Sequence, residues 1–300
     1  MTSRPALRRY AVIGNPITHS RSPQIHAMFA AQTGISLEYE RIPAPLDGFR
    51  ATAEAFFLAG GQGLNVTVPF KQEAFELARE HLSARARMAG AVNTLTWRDG
   101  VLQGCNTDGV GLVNDLIRLG VMLQGARLLL VGAGGAPPPP GGGGGGGGGA
   151  PPRGVLQPLA EAGCAEIRIV NRSPGRAAEL LAAWTASGIP GGVQTSAGAL
   201  DEAGGAWDIV INATASSLHD LAPALPGGLY APGALAYDMV YGARPTPFMR
   251  QARADGAALT ADGLGMLVGQ AAESFFIWHG LRPDPTAVLT TLRANLLAED

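Results

Sequence analysis

A glycine-rich turn follows an apolar segment and has the composition of a phosphate-binding loop. Residues 127–131 read Arg-Leu-Leu-Leu-Val, a pattern typical of a buried strand, and Gly-Ala-Gly-Gly-Ala then runs from Gly132 to Ala136. Glycines at such a turn let the backbone reverse tightly and approach a pyrophosphate at the N-terminus of the next helix. The third glycine of the usual fingerprint is altered, and glycine-rich turns are common, so the turn alone is a weak indication.

Two arginines lie where a dinucleotide-binding unit reads the ribose. The next predicted strand, 166–170, leads into Asn171-Arg172-Ser173, and Arg176 follows one helical step later. A unit that binds NAD carries a carboxylate at this place, whereas guanidinium groups suit the 2′-phosphate of NADP. The pattern favours NADP over NAD. The alternative interpretation is a pair of solvated arginines at the start of a helix.

A low-complexity tract separates the glycine turn from the rest of this unit. Residues 137–152 consist of four prolines, nine glycines, one alanine and two more prolines. From Gly135 to Asn171 is 36 positions, or 21 if the tract stands in for one residue, and the usual spacing is about 20. Prolines have no backbone N–H to offer a phosphate. Either the tract loops outward and a helix restarts near Arg153, or it damages cofactor binding, or it is absent from the working protein.

A second polar pattern lies on the predicted strand 63–69. Leu64, Val66 and Val68 alternate with Asn65 and Thr67, so the apolar side chains share one face and the polar pair shares the other. Open α/β sheets bind ligands at the carboxyl ends of their strands. We therefore expect Asn65 and Thr67 to lie at a ligand site.

Strands and helices alternate along the rest of the chain. Ser22 is predicted as the N-cap of the first helix, with Pro23 at its first position. This alternation predicts an α/β fold with parallel sheets wrapped by helices. The predicted strands cover 10–14, 37–42, 63–69, 91–97, 101–105, 127–131, 166–170, 208–212 and 235–240, and further helices cover 49–58, 111–119, 153–162, 176–186 and much of the C-terminal part.

Composition excludes several classes of protein. A net charge of −2 argues against a nucleic-acid or anionic-membrane surface, and 46% hydrophobic with 15% charged residues excludes a mainly disordered chain. Two cysteines make no disulfide framework, and the five histidines show no metal-ligand spacing, so no metal site is predicted. The N-terminal sequence lacks the apolar region of a signal peptide, and we expect a cytoplasmic protein.

Long sequence blocks resemble those of the shikimate dehydrogenase family, and they occur in the family's order. The resemblance covers nearly the whole chain apart from the tract. It implies a two-domain α/β enzyme that reduces 3-dehydroshikimate to shikimate with NADPH, in the pathway to chorismate and the aromatic amino acids. The matching blocks are GNPITHSRSPQIH, GLNVTVPFKQEAF, GAVNTL, NTDGVG, GAGGA, NRSPGR, INAT, YDMVYG and DGLGMLVGQAAESF.

The resemblance also implies a role for individual residues. Lys71 becomes the acid–base group beside Asp108, and Ser20 and Ser22 become the pair that binds the substrate carboxylate. Without the resemblance to the family, the sequence around Lys71 would predict an ordinary surface lysine. The hydroxyl-binding set is Asn65, Thr67, Asn93 and Asp108, with Tyr241 and Gln270 completing the pocket. The cofactor set is Gly132, Ala133, Gly134, Gly135, Ala136, Asn171, Arg172, Ser173 and Arg176, with Met239 and Gly263 at the nicotinamide.

The family pattern further predicts the domain organisation. Residues 1–108 and 265–300 would form a substrate-binding and catalytic domain, and residues 109–264 a Rossmann-like NADP-binding domain interrupted by the tract. A homodimer is a candidate assembly. Two alternatives remain: a quinate/shikimate dehydrogenase with relaxed substrate or cofactor choice, and a non-catalytic shikimate-binding protein disabled by the tract.

Overall fold

A computed structural model describes residues 7–134, 152–188 and 192–299 of the chain. The expectations for Gly135, Ala136 and all of the tract except Pro152 lie outside the described residues. The chain divides into two units, residues 1–107 with 268–291 and residues 108–267 with 292–300. In the described part of the chain, no helix combines the length and the apolar character that crossing a membrane requires.

The first unit is built on a five-stranded mixed sheet. The strand order is β2-β1-β3-β4-β5, with β1 parallel to β2 and β3, and β4 antiparallel to β3 and β5. The elements are β1 (Arg8–Gly14), α1 (Ser22–Thr33), β2 (Leu37–Pro43), α2 (Phe49–Leu58), β3 (Gly61–Val66), α3 (Lys71–Leu77), α4 (Ala84–Ala89), β4 (Thr94–Arg98) and β5 (Val101–Cys105). Helix α9 (Leu264–His279) and helix α10 (Pro285–Ala298) lie across the division between the units.

Both faces of this sheet are covered. On one face, Ala11 and Ile13 of β1 pack with Leu64 and with Phe49 of α2. On the other face, the ring of Tyr10 stacks on Trp278 of α9, with centroids 4.7 Å apart. A strand that is buried on both faces has a nearly continuous run of apolar residues. Such a run in the sequence predicts β1.

Gly63 lies where the indole of Trp278 in α9 approaches the sheet. A Cβ atom at this position would stand 2.5 Å from Nε1 of Trp278 and 3.0 Å from the ring of Tyr10, and real Cβ atoms do not approach other heavy atoms so closely. Only glycine therefore lets the indole lie flat against β3.

The second unit is built on a six-stranded sheet in which every pairing of the described strands is parallel. The order β11-β10-β9-β6-β7-β8 places β6 and β9 side by side in the middle, where the chain switches from one half of the sheet to the other. The elements are α5 (Asp108–Arg118), β6 (Arg127–Val131), α6 (Arg153–Glu161), β7 (Glu166–Asn171), α7 (Pro174–Ala186), β8 (Gln194–Ala199), β9 (Trp207–Asn212), β10 (Tyr230–Asp238), α8 (Pro247–Ala254) and β11 (Leu259–Asp262).

Alternate residues of β6 serve two separate hydrophobic clusters. Leu128 and Leu130 pack with the cluster that includes Leu156 of α6, whereas Leu129 and Val131 pack with the cluster that includes Trp207. Helices therefore cover both faces, as an all-parallel sheet requires. The predicted α/β fold class is confirmed.

Several predicted boundaries are wrong. Strand β3 ends at Val66, so Thr67 lies beyond it in a turn in which the Thr67 carbonyl accepts the N–H of Phe70 at 3.0 Å. Ser22 is the first residue of α1 rather than its N-cap, because Arg21 occupies the cap position. Helix α5 begins at Asp108 instead of residue 111, and the predicted strand from residue 91 begins at Thr94.

Four short elements were not predicted: α4, β8, α8 and β11. Each spans eight residues or fewer, so few periodic apolar positions mark it. Strand β8, Gln-Thr-Ser-Ala-Gly-Ala, carries none of the large apolar side chains that identify a strand.

Candidate functional site

Polar side chains collect at one edge of the sheet of the first unit. Strands β1, β2, β3 and β5 end at this edge, and β4 begins there because it runs antiparallel to its neighbours. Asn65 lies on β3, Asn93 precedes β4 and Thr107 follows β5. Asn65 of the predicted polar pair is thus one part of a cluster drawn from several strands, whereas Thr67 lies in the turn after β3.

Asn93 is the centre of this cluster. Its side chain is buried, with the residue 2% exposed. Its Oδ1 accepts the backbone N–H of Thr107 at 2.9 Å and the hydroxyl of Thr94 at 2.9 Å. Its Nδ2 donates to Oγ1 of Thr107 at 2.9 Å and to Oε1 of Gln270 at 3.4 Å. Predicted site residues Asn93 and Gln270, far apart in sequence, are therefore in direct contact.

Asn65 is joined to the same helix as Gln270. Its Nδ2 donates to Oγ of Ser274 at 3.0 Å, and its Oδ1 accepts the hydroxyl of Tyr39 at 2.7 Å. Neither Ser274 nor Tyr39 was predicted as a site residue. Ser274 lies one helical turn after Gln270 in α9. Because residues four positions apart are neighbours on a helix surface, this spacing from a predicted substrate-binding residue could have indicated Ser274 as a site residue.

Ser20, on the loop after β1, contacts Ser22, the first residue of α1. The Ser20 hydroxyl donates to that of Ser22 at 3.2 Å, and the Ser22 side chain also pairs with the hydroxyl of Tyr39. Arg41 of β2 holds this loop through two bonds from its guanidinium to the carbonyl of Ser20, at 3.0 and 2.6 Å. Tyr39 and Arg41 are two residues apart on one strand and so share a face.

Lys71 is the first residue of α3, and only 8% of its surface is exposed. Its backbone carbonyl accepts the N–H of Val92 at 2.9 Å, which places the start of α3 beside the segment that carries Asn93. Lysines are rarely buried without a partner. Lys71 is moreover the only lysine in the sequence, among 21 arginines. That count was available from sequence and distinguishes this residue without any family comparison.

Asp108 is the first residue of α5 in the second unit, and its side chain is buried. The helix is anchored further along by Asp115, which accepts the hydroxyl of Tyr237 at 2.7 Å and Nε of Arg118 at 2.8 Å. Burial raises the pKa of the Tyr237 phenol well above its ordinary value, so this hydroxyl remains a donor. The packing fixes the helix that begins with Asp108.

The glycine turn lies at the carboxyl end of β6, beside the switch point of the second sheet. Gly132 has φ of 106°, and a Cβ atom there would stand 3.0 to 3.2 Å from Ala213 and Thr214 after β9. The N–H of Gly132 donates to Val170 at 2.7 Å. A side chain at this turn would be both strained and crowded. Ala133 and Gly134 follow within the described residues.

The ribose-reading candidates lie at the end of the neighbouring strand. Oδ1 of Asn171 accepts the N–H of Ala133 at 3.3 Å, which ties the end of β7 to the glycine turn. Arg172, Ser173 and Arg176 are exposed at the start of α7. Glycine backbone after β6 suits a pyrophosphate and guanidinium groups beyond β7 suit a 2′-phosphate, and NADP carries both groups. The described residues fit NADP.

A buried carboxylate organises the carboxyl end of β10. Asp238 accepts the hydroxyls of Ser217 and Thr246, each at 2.6 Å, and the Nδ2 of Asn212 at 3.2 Å. Burial raises the pKa of Asp238 above its usual range, while these hydrogen bonds act in the opposite direction. Met239 is the next residue. The loops next to Met239, the predicted nicotinamide-lining residue, are therefore held together by the side chain of Asp238.

Gly263 and Tyr241 lie near this end of the sheet. The N–H of Gly263 donates to the carbonyl of Val240 at 3.2 Å, and a Cβ on Gly263 would collide with the backbone of Met239. Asp262 forms an ion pair with Arg293, whose guanidinium also donates to the carbonyl of Gly242 at 2.8 Å. Within the second unit, Met239 and Gly263 thus come together as predicted candidates, and Tyr241 lies on the same loop.

Comparisons with known proteins identify the family. Residues 12–95 match the family model described as shikimate dehydrogenase substrate binding domain, and residues 263–293 match that of the shikimate 5'-dehydrogenase C-terminal domain. The chain is 95% identical over 300 residues to the shikimate dehydrogenase (NADP(+)) of Bordetella avium and 67% identical over 302 residues to that of Bordetella petrii, in each case covering 100% of both chains.

A solved structure agrees with these relatives. The shikimate 5-dehydrogenase of Thermus thermophilus, solved in complex with NADP(H) and shikimate, superposes with a TM-score of 0.79 and is 32% identical, covering 97% of this chain and 100% of its own. The family predicted from the sequence blocks is confirmed. The chain belongs to the shikimate dehydrogenase family.

Proposed function

We propose that the chain catalyses the reversible, NADPH-dependent reduction of 3-dehydroshikimate to shikimate, a step toward chorismate and the aromatic amino acids. The observation that carries this function is the buried cluster of amide and hydroxyl side chains around Asn93 and Asn65. Shikimate carries three hydroxyls and a carboxylate, and a site lined with small hydrogen-bonding groups matches such a ligand.

Residues 1–108 and 265–300 are proposed to form the substrate half, and residues 109–264 the NADP half. Ser20 and Ser22 would bind the carboxylate, at the N-terminus of α1, whose dipole favours an anion. Asn65, Thr67, Asn93 and Asp108 would bind the ring hydroxyls. Gln270, already held against Asn93, and Tyr241 would complete the pocket.

Lys71 and Asp108 are proposed as the acid–base pair. Ketone reduction adds a hydride to carbon and a proton to oxygen, and NADPH supplies the hydride when it is bound. The Lys71 ammonium would give its proton to the carbonyl oxygen and, in the oxidation direction, its amine would take the proton of the hydroxyl.

The cofactor would be held by the carboxyl edge of the second sheet. Backbone N–H groups of Gly132, Ala133 and Gly134, with Gly135 and Ala136, are proposed for the pyrophosphate. Asn171, Arg172, Ser173 and Arg176 are proposed for the 2′-phosphate ribose, and Met239 with Gly263 for the nicotinamide. The positive φ of Gly132 and the exposed arginines support this assignment.

We further propose that the enzyme works in the cytoplasm as a homodimer, with no nucleic-acid or membrane partner. Cys105 and Cys164 are unpaired, which suits a reducing compartment. Sedimentation would test the dimer.

An assay of shikimate oxidation with NADP⁺ tests the proposal. We expect shikimate with NADP⁺ to be turned over faster than shikimate with NAD⁺ and faster than quinate with either cofactor. Equal turnover of quinate would favour the relaxed dehydrogenase. A chain that neither turns over shikimate nor binds NADPH in a fluorescence titration would favour the non-catalytic alternative, and repeating both measurements with residues 137–152 replaced by one residue would show whether the tract is responsible.

A further inference from the structure

We propose that Tyr39 is a positioning residue for substrate recognition: its hydroxyl fixes the side-chain amide of Asn65 so that Asn65 acts only as a hydrogen-bond acceptor for a ring hydroxyl of the substrate. The proposal rests on the proposed function. Tyr39 does not belong to the residues that the sequence blocks marked as substrate-binding, and it lies on β2, which β1 separates from β3 in the sheet.

The hydroxyl of Tyr39 connects the two groups of predicted substrate residues in the first unit. It donates to Oδ1 of Asn65 at 2.7 Å and pairs with the side chain of Ser22, which in turn accepts from Ser20 at 3.2 Å. Burial raises the pKa of the Tyr39 phenol well above its usual value, so the phenol keeps its proton. A phenol with its proton directed at Asn65 can only accept from Ser22.

The amide of Asn65 has no donor left for a ligand. Its Nδ2 has two protons and faces three acceptors: Oγ of Ser274 at 3.0 Å, the carbonyl of Asn93 at 3.3 Å and Oγ1 of Thr94 at 3.3 Å. Its Oδ1 has two lone pairs, of which Tyr39 takes one. The remaining lone pair selects a ligand group that donates, such as a hydroxyl.

His26 holds the Tyr39 ring in place by ring stacking. The two rings stack with centroids 4.3 Å apart and planes 9° apart. His26 is fully buried and its ring nitrogens make no hydrogen bond of good geometry, while the nearby side chain of Asn65 acts against the effect of burial on the His26 pKa. Burial lowers the pKa of His26 to about 3, so the ring is neutral and packs as an apolar plate. This accounts for a histidine of the GNPITHSRSPQIH block that the proposed reaction does not use.

The test compares Tyr39→Phe with Tyr10→Phe. Tyr10 is a matched control because its hydroxyl also donates to a side-chain amide, Oε1 of Gln62 at 3.1 Å, and its ring also stacks on a neighbour in the same unit. Each protein is assayed for NADP-linked oxidation of shikimate and of two analogues, each lacking one of the two hydroxyls that do not react. The ratio of kcat/KM between two substrates is independent of the folded fraction.

We expect the native chain and Tyr10→Phe to prefer shikimate to one analogue by at least about tenfold, because a site built around a hydroxyl rejects a ligand without it. Tyr39→Phe should reduce that preference to within about threefold, raise the KM for shikimate about tenfold and leave the KM for NADP⁺ within about twofold. A Tyr39→Phe variant that keeps the native preference, or a native chain with no such preference, would overturn the proposal. A native chain inactive toward shikimate would overturn the proposed function as well.

Discussion

The carboxyl edges of the two sheets are built in different ways. In the first unit, Asn65, Asn93 and Gln270 are held by hydrogen bonds to other side chains, and Asn65 and Asn93 are buried. In the second unit, the candidate phosphate site consists of glycine backbone and of arginines that are exposed at the start of α7. A small polyhydroxylated ligand needs a shaped, preorganised set of dipoles, whereas a charged phosphate can be held by backbone N–H groups and exposed cations.

Among the substitutions that distinguish the carboxyl edges of the two sheets, the largest effect on activity is expected at Lys71. Lys71→Met keeps the apolar stem and removes the ammonium, so kcat should fall by about 10² to 10⁴, while the KM for shikimate and for NADP⁺ should change less than about threefold. Steady-state kinetics in both directions measure this split. Native turnover in the variant would remove the acid–base assignment.

Acid should destabilise the buried edge of the first unit through His26. Its pKa is lowered to about 3 when folded, against 6.5 as the ordinary value, so the folded state binds fewer protons than the unfolded state between these values. Stability is therefore present above pH 6.5 and is lost as pH falls toward about 3. Between pH 7.5 and 5 the native chain should lose about 2 kcal/mol more than His26→Phe.

Urea unfolding at the two pH values checks this difference. The exposed His81→Gln variant is the control and should retain the native pH dependence. Equal pH dependence in the native chain and His26→Phe would contradict the account of this histidine.

Arg172→Ala should affect only the exposed edge of the second unit. Loss of the guanidinium that is proposed to bind the 2′-phosphate should raise the KM for NADP⁺ about tenfold, with little change in the KM for NAD⁺ or for shikimate. Arg250→Ala, which removes another exposed arginine of the same unit, is the control. Equal weakening of NADP⁺ and NAD⁺ would show that Arg172 does not read the 2′-phosphate.

The smallest effect is expected at Arg41, whose guanidinium donates twice to the carbonyl of Ser20. Arg41→Gln should loosen the loop that carries the serine pair and raise the KM for shikimate about threefold, with kcat nearly constant. If the KM for shikimate stays at the native value, the loop is held by other contacts.

Sequence reasoning succeeded where the local pattern decides the structure. The apolar run Arg127–Val131 is a strand over the predicted residues, and the helix Phe49–Leu58 has the predicted bounds. It failed for Ser22, whose hydroxyl pairs with Ser20 and Tyr39 instead of capping a helix. The predicted N-cap role of Ser22 was based only on the residues next to it in sequence. Its contact with Tyr39 depends instead on which strands lie side by side in the sheet.

Sequence patterns missed other site residues for the same physical reason. Tyr39 on β2 and Asn65 on β3 come within hydrogen-bond distance because both strands pair with β1. No local periodicity in the sequence encodes that strand order. Ser274 reaches Thr94 at 2.8 Å across 180 residues of sequence. Lys71, in contrast, could have been singled out by counting, since the chain has no other lysine.

Acylation of Lys71 tests the central claim most directly, because the sole side-chain amine of the chain is the proposed proton donor. The enzyme is treated with an amine-acylating reagent, and the modified fraction at residue 71 is followed by peptide mass spectrometry together with the rate of NADP-linked shikimate oxidation. The account predicts that activity falls in proportion to the acylation of Lys71 and that shikimate with NADP⁺ slows both. Complete acylation of Lys71 with native turnover would contradict it.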